Sequence, residues 1–137
     1  MESAKQEPFE LSGPLRAQLD TAGDEFVAEF LGRFVDRAPE NVEVLIELGH
    51  LLTKLGRYER GLEVDRRLAE LLPDEPTVLY NLACSLSLTG ALDEAFDTLG
   101  RSLDAGYDDA AFLREDEDLA PLRADPRFQA LLDRLDA

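Results

Sequence analysis

The feature that most constrains the fold is an internal repeat with a period of 34 residues. When residues 42–75 are aligned with residues 76–109, large apolar, small and glycine positions coincide in the same order. The coinciding pairs are Leu45 and Leu79, Leu48 and Leu82, Gly49 and Ala83, Leu52 and Leu86, Gly56 and Gly90, and Gly61 and Ala95. A fixed period of this length is typical of a chain built from stacked copies of one small structural unit.

Each copy is predicted to form two helices. In the first half of each copy, apolar residues recur at the i, i+3, i+4, i+7 spacing of an amphipathic helix. Asn41 is suited to cap the first of these helices, and Pro76 is suited to the first turn of its counterpart. Gly56 and Gly90 are expected to end them, because glycine readily takes the positive φ of a helix C-cap. The second helices are predicted from about Tyr58 to Leu72 and from about Leu92 to Ala105.

These features together resemble the tetratricopeptide repeat (TPR). The residues that carry the resemblance are Leu48-Gly49, Leu52, Gly56-Arg57-Tyr58, Gly61 and Pro73, then Leu82-Ala83, Leu86, Gly90-Ala91-Leu92, Ala95 and Ser102. The resemblance implies an all-α fold, a short right-handed α-α superhelix of antiparallel helix pairs. Two positions depart from the family pattern. Asp65 stands where a large apolar residue is usual, and Gly106-Tyr107 replaces the terminal proline of the second copy.

A single TPR-like domain is expected over residues 11–137, after a flexible N-terminus at residues 1–10. It would comprise a degenerate repeat at 11–41, repeats at 42–75 and 76–109, and C-terminal capping helices at 110–137. In the degenerate repeat, we expect a short helix from about Leu15 and a strong amphipathic helix from Asp24 to Ala38. Asp125-Pro126 is a favourable helix start, which predicts a last helix at about 126–135.

The charge balance excludes some classes of partner. Thirty acidic residues against fourteen basic ones give a formal net charge of −16. Such a charge repels phosphate backbones and anionic lipid headgroups, so we expect neither a nucleic-acid nor a membrane partner. The N-terminus lacks the apolar core of a signal peptide, and the single cysteine, Cys84, permits no intrachain disulfide. A cytoplasmic location is therefore expected.

The sequence offers little for catalysis or metal binding. His50 is the only histidine, and one histidine with one cysteine cannot supply the roughly four ligands of a zinc site. No glycine-rich loop precedes a lysine, so a phosphate cradle is not expected. The acidic run at residues 115–118 lacks the spacing of an EF-hand loop and is interpreted as a solvated turn. We expect no enzyme activity, no cofactor and no metal.

The remaining candidate site is a groove. In the TPR family, the first helices line the concave surface that binds extended peptides or partner helices. The resemblance therefore implies a partner-binding groove made of Glu43, Ile46, Glu47, His50, Lys54, Thr77, Tyr80, Asn81, Cys84 and Leu88. The alternative is that these residues are ordinary surface, or that the C-terminal segment covers them. A contact role is favoured for Tyr80, Asn81 and Leu88. A purely solvated face would be expected to carry a charged residue, and none of these three is charged.

One specialisation of the family can be compared residue by residue. TPR repeats that bind chaperone C-termini clamp the terminal carboxylate with Lys, Asn and Arg. The corresponding residues here are Ile46, His50, Asn81, Ala111 and Glu115. Only the asparagine matches, so a carboxylate clamp is not expected, and Glu43 and Glu47 at the groove entrance favour a basic or neutral peptide.

We interpret the chain as a non-catalytic protein–protein interaction module, an adaptor or scaffold. Two alternatives stay open. One is a small acidic TPR chaperone for a secreted or assembled substrate. The other is a self-assembling structural unit, a possible homo-oligomer, in which an eroded first helix leaves Phe26, Phe30 or Phe34 under-covered.

Overall fold

The computed structural model describes residues 12–136, and every regular element within that range is helical. The helices are α1 (Gly13–Arg37), α2 (Val42–Lys54), α3 (Tyr58–Leu71), α4 (Pro76–Leu88), α5 (Leu92–Asp104), α6 (Ala110–Glu115) and α7 (Pro126–Asp136). A 3-10 helix at Glu117–Leu122 lies between α6 and α7. The predicted flexible N-terminus at residues 1–10 falls outside the described residues.

Helices α2 to α5 begin and end close to the predicted positions, for the predicted reasons. The Asn41 side chain accepts a hydrogen bond from the Val44 N–H at 3.1 Å, which confirms it as the N-cap of α2. Gly56 and Gly90 have φ values of 76° and 84° and end α2 and α4. Gly106 repeats this geometry after α5, with φ at 115°. The glycine that stands in place of the family's terminal proline is therefore a third glycine C-cap.

The N-terminal region differs from the prediction of two helices. Residues 13–37 form the single continuous helix α1, with no break between the predicted short helix and the predicted amphipathic one. Pro14 lies in the first turn, where its missing N–H has no helical partner to lose, and the Ser12 side chain caps that turn. Gly23 lies in mid-helix, where a glycine costs only about 1 kcal/mol relative to alanine and does not end a helix by itself.

The helices pack as successive neighbours. α2 packs against α3, α3 against α4, and α4 against α5, while α1 packs against α2. Gly61 and Ala95 are fully or nearly fully buried where the paired helices approach each other. An added Cβ at Gly61 would lie 3.5 Å from the Thr53 hydroxyl oxygen. These small residues allow the close approach that the sequence predicts.

The largest core cluster lies towards the C-terminal end of the chain. Its fully buried leucines are Leu86, Leu99, Leu113, Leu119 and Leu122. They come from α4, α5, α6 and the 3-10 helix, so the C-terminal segment packs against the helices of the second repeat. No helix within residues 12–136 is long and apolar enough to cross a membrane.

Candidate functional site

The candidate site is a groove between the first helices of the two repeats. Two cavities of about 340 Å³ and 280 Å³ adjoin each other there, and both are lined by His50, Asp65 and Asn81. We call their combined surface the α2–α4 groove. The larger cavity, cavity 1, extends towards the C-terminal segment and reaches Phe112, Asp116 and Asp118. The smaller one, cavity 2, extends towards Glu75 and Val78.

The structure brings eight of the ten predicted residues to this groove. They are Ile46, His50, Lys54, Thr77, Tyr80, Asn81, Cys84 and Leu88. The other two, Glu43 and Glu47, are exposed on α2 and line neither cavity. Lys54 is less available than its position suggests, because its ammonium lies 2.6 Å from the Asp24 carboxylate of α1.

Tyr80 and Cys84 form the wall of the groove beneath the C-terminal segment. They are only 3% and 7% exposed. The Tyr80 ring stacks on Tyr107, with centroids 4.3 Å apart and ring planes within 6°. The Tyr80 hydroxyl donates to the Asp116 carboxylate at 2.5 Å. The C-terminal segment therefore covers these two residues, which is one of the alternatives that the sequence leaves open. Their side chains serve chiefly to anchor that segment.

The bottom of the groove holds an acid that the site prediction omits. Asp65 of α3 is 7% exposed and accepts a hydrogen bond from the Ser85 hydroxyl of α4. Burial raises the pKa of Asp65 to about 6, although the Ser85 hydrogen bond and the charge of His50 act in the opposite direction. The sequence does contain a signal that sets Asp65 apart, because the 34-residue period aligns this acid with the apolar residue Leu99 of the second repeat.

The rim of cavity 1 also has contributors that the prediction omits. Phe112 is 51% exposed and lies at its edge, with its ring centroid 5.9 Å from that of Tyr80. Asp116 and Asp118 are half-buried beside it. Burial, followed by the charges of Asp116 and Glu117, raises the pKa of Asp118. The acidic run predicted as a solvated turn is thus partly built into the groove.

One group of side chains has the composition of a metal site. The Cys84 thiol and the Asp116 and Asp118 carboxylates offer atoms within 4.8 Å of one another. Burial and then these two carboxylates raise the pKa of Cys84, which keeps the thiol protonated. Asp116 already accepts from Tyr80 and lies 3.7 Å from the Cys84 sulfur. Asp116 thus joins the Tyr80 hydroxyl and the Cys84 thiol in one hydrogen-bonded network.

Comparison with known proteins bears on the fold. No protein-family model matches the sequence, and no curated protein matches it. Among solved structures, the one named "MamA MSR-1 C2" is similar with a TM-score of 0.65 and 24% identity, over 88% of this chain and 74% of that chain. MamA is a TPR-like protein. The fold is a TPR-type α-α superhelix. The predicted all-α class is confirmed. Helices α2 and α4 are the first helices of successive repeats, and the α2–α4 groove lies between them.

Proposed function

We propose that this protein is a non-catalytic interaction module whose α2–α4 groove binds a peptide or helix of a partner protein. The observation that carries the proposal is the pair of adjoining cavities along the first helices of a TPR-type fold. Their lining combines apolar side chains such as Leu88 with polar groups such as Asn81, with the buried carboxylate of Asp65 and with the half-buried carboxylates of Asp116 and Asp118. Such a mixture gives a peptide both apolar contact area and orienting hydrogen bonds.

The charge of the groove supports a basic or neutral partner. Asp65, Asp116 and Asp118 line it, and the lysine beside them, Lys54, is already paired with Asp24. The whole chain carries a formal charge of −16, which would accelerate encounter with a basic partner at low ionic strength. An exposed Phe112 at the rim adds an apolar anchor of the kind enriched at protein interfaces. A cytoplasmic adaptor or scaffold is the role that we infer.

The test compares partner capture by matched variants. His50→Ala/Asn81→Ala removes two side chains shared by both cavities, one of which is exposed and the other half-buried. Glu63→Ala/Asp97→Ala is the control, because it removes exposed side chains from the second helices α3 and α5. Tagged proteins would capture partners from a native lysate, and mass spectrometry would identify them. Purified partner fragments would then be titrated by fluorescence anisotropy.

We expect the groove variant to lose the partner and the control variant to retain it. Far-ultraviolet circular dichroism should show the same helix content in all three proteins. A partner that binds wild type and the groove variant with equal affinity would contradict the proposal and move the site to another surface.

A second candidate function, self-association, is favoured by an exposed apolar stripe on α1. We define the α1 stripe as Leu15, Leu19, Phe26, Phe30 and Phe34, which are 41–70% exposed. At about 100° per residue, Phe26 and Phe30 lie roughly opposite Ala28 and Val35, which pack on α2. α1 is thus apolar on two sides, and only one of them has a partner within the described residues.

The area of the stripe suits a second copy of the chain. At roughly 200 Å² per ring, the exposed parts of the three phenylalanines amount to about 350 Å². A standard-size specific interface buries about 800 Å² per partner, and homodimer interfaces are about 65% apolar, so the three phenylalanines would supply roughly two-thirds of the apolar area that is needed. An antiparallel pairing of two α1 helices would place Leu19 against Phe30 and Leu15 against Phe34 towards the two ends of the stripe, with Phe26 over Gly23 nearer its centre.

Sedimentation velocity over a range of concentrations tests the second candidate. We expect a concentration-dependent dimer for wild type and a monomer for Phe26→Glu/Phe30→Glu. Gln18→Glu/Thr21→Glu is the control, because it adds the same charge at exposed positions of α1 outside the stripe. A wild-type monomer at all concentrations, or equal dissociation of both variants, would contradict self-association through the stripe.

A further inference from the structure

Asp65 occupies a position that the fold fills elsewhere with an apolar residue. In the 34-residue register it aligns with Leu99, which is fully buried in the main core cluster. Asp65 is itself 7% exposed, so a carboxylate has been placed where the second repeat buries a leucine. None of the ion pairs formed among residues 12–136 includes it. Burying a charge is costly, and the charge of His50, which lines the same cavities, offsets that cost only in part.

Cavity 2 leads to this carboxylate and has the lining of a pocket for a long cationic side chain. One wall is aliphatic, with Ile46, Leu68, Leu72 and Val78, and the polar residues His50, Thr77 and Asn81 also line the cavity. Leu68 and Val78 are buried, whereas Ile46 and Leu72 are half-buried. The exposed acid Glu75 lines the same cavity. Lysine and arginine pack their methylene stems along apolar surface while their charged heads reach a polar group.

We propose that cavity 2 binds a lysine or arginine side chain of the partner peptide, with its charged head at Asp65. The stem would pack against the aliphatic wall, Glu75 would attract the cation at the entrance, and the Asp65 carboxylate would pair with it. This inference rests on the proposed function, because it names the partner chemistry of the same groove. It also accounts for a buried carboxylate that takes part in no ion pair among residues 12–136, since the partner supplies one on binding.

A purely structural role for Asp65 leads to a different expectation. Its hydrogen bond with Ser85 joins α3 to α4, and if this bond were the reason for the acid, its removal would weaken the fold. A binding role instead predicts that Asp65→Leu, which restores the residue type of the second repeat, stabilises the free protein while abolishing cation binding. Opposite changes in stability and binding would distinguish the two roles.

The experiment uses small analogues of the two side chains as probes. Butylammonium chloride and butylguanidinium chloride would be titrated into ¹⁵N-labelled full-length protein, and amide shifts would be followed by NMR. Butanol and sodium butyrate control for the apolar stem and for salt. Glu63→Gln is the matched variant, because it removes one exposed acid from the same helix as Asp65.

We expect saturable shifts at cavity 2 residues, for example Ile46 and Val78, with both cations and with neither control. Asp65→Asn and Asp65→Leu should weaken binding at least about tenfold, since a buried charge pair loses one member. Glu63→Gln should bind as wild type does. The ratio of the two affinities identifies whether an ammonium or a guanidinium head is preferred.

Several results would overturn the proposal. They are the absence of saturable shifts, shifts centred on Asp116 and Asp118 instead of cavity 2, or equal binding by wild type and Asp65→Asn. Partner capture separates this failure from failure of the proposed function. If His50→Ala/Asn81→Ala loses the partner and Asp65→Asn keeps it, the groove binds its partner without a cation at Asp65. If neither variant loses it, the groove is not the binding surface.

Discussion

The buried carboxylate of Asp65 makes the stability of the protein depend on pH in a predictable direction. Its pKa is raised from an ordinary value of 3.8 to about 6, chiefly by burial. Between these two values, the native state holds the proton and the unfolded chain has lost it. The native state then binds more protons, so the stabilising effect is complete below pH 3.8 and is lost as the pH rises through 6.

The size of the effect follows from the pKa shift. One pKa unit corresponds to about 1.4 kcal/mol, so the shift amounts to about 3 kcal/mol. Asp65→Asn keeps the size of the side chain and its capacity to accept from Ser85, but it cannot ionise. We therefore expect this variant to gain about 3 kcal/mol relative to wild type between pH 4 and pH 7. Asp65→Leu should exceed wild type at pH 7 by about 1–4 kcal/mol, as replacements of buried ions by apolar residues often do.

Urea unfolding followed by circular dichroism at a series of pH values measures both differences. The raised pKa of Asp118 and the lowered pKa values of Glu94 and Asp125 also change stability with pH. They act on wild type and variant alike, so they cancel in the comparison. A difference between wild type and Asp65→Asn that stays constant from pH 4 to pH 7 would refute the reasoning. Loss of stability in Asp65→Leu at pH 7 would show that the Ser85 hydrogen bond outweighs the cost of the buried charge.

Three further substitutions test the fold around the groove, each by urea unfolding. Gly90→Ala places a side chain at φ 84° and should cost about 1–2 kcal/mol; an unchanged midpoint would contradict the glycine C-cap. Tyr80→Phe keeps the stacked ring but removes its hydrogen bond to Asp116, for an expected loss of about 1–3 kcal/mol, because the carboxylate is left half-buried. Arg66→Ala removes the bidentate pair with Glu94 at 2.6 and 2.9 Å, yet should cost under about 1 kcal/mol, because both side chains are about half exposed. A larger loss would mean that this pair contributes more than exposed ion pairs usually do.

The helix pairs of the two repeats could be predicted from the sequence because their signals are local. Asn41 supplies a cap through its own side chain, and Gly56 and Gly90 supply the positive φ that other residues avoid. Each signal acts within a few residues of the end that it defines, so the boundaries of α2 to α5 follow from it. Gly106 carries the same local signal, although in the sequence it stands out only as a departure from the family's terminal proline.

The first helix could not be predicted in the same way, because the expected break was inferred from the repeat period. Pro14 stands 34 residues before the core residue Leu48, and a proline at that position indicates an eroded repeat. Pro14 nevertheless lies in the first turn of α1, where its missing N–H costs nothing, and Gly23 alone does not end the helix. Local helix propensity therefore outweighed the period, and the resulting helix exposes Phe26 and Phe30.

The covering of Tyr80 required information that a helical pattern does not contain. Its position on α4 places it on the same side as Asn81 and Leu88, as the sequence predicts. Tyr107 and Asp116 come from residues 27 and 36 positions later, and only the path of the C-terminal segment brings them onto the tyrosine. Periodicity within one helix can show which side a residue occupies, but it cannot show what lies across from it.

Asp65 is the exception, because its importance could be recognised from the sequence alone. The repeat provides an internal comparison, in which one structural position is filled once by Asp65 and once by Leu99. Both positions are buried, but their surroundings differ, because Asp65 lies beside the Ser85 hydroxyl whereas Leu99 lies in the apolar main cluster. The stability of Asp65→Leu at pH 7 therefore decides between a structural role, in which the Ser85 hydrogen bond outweighs the cost of the buried charge, and a binding role. The two cavities that meet at this carboxylate leave it within reach of the cationic side chain that we propose as its ligand.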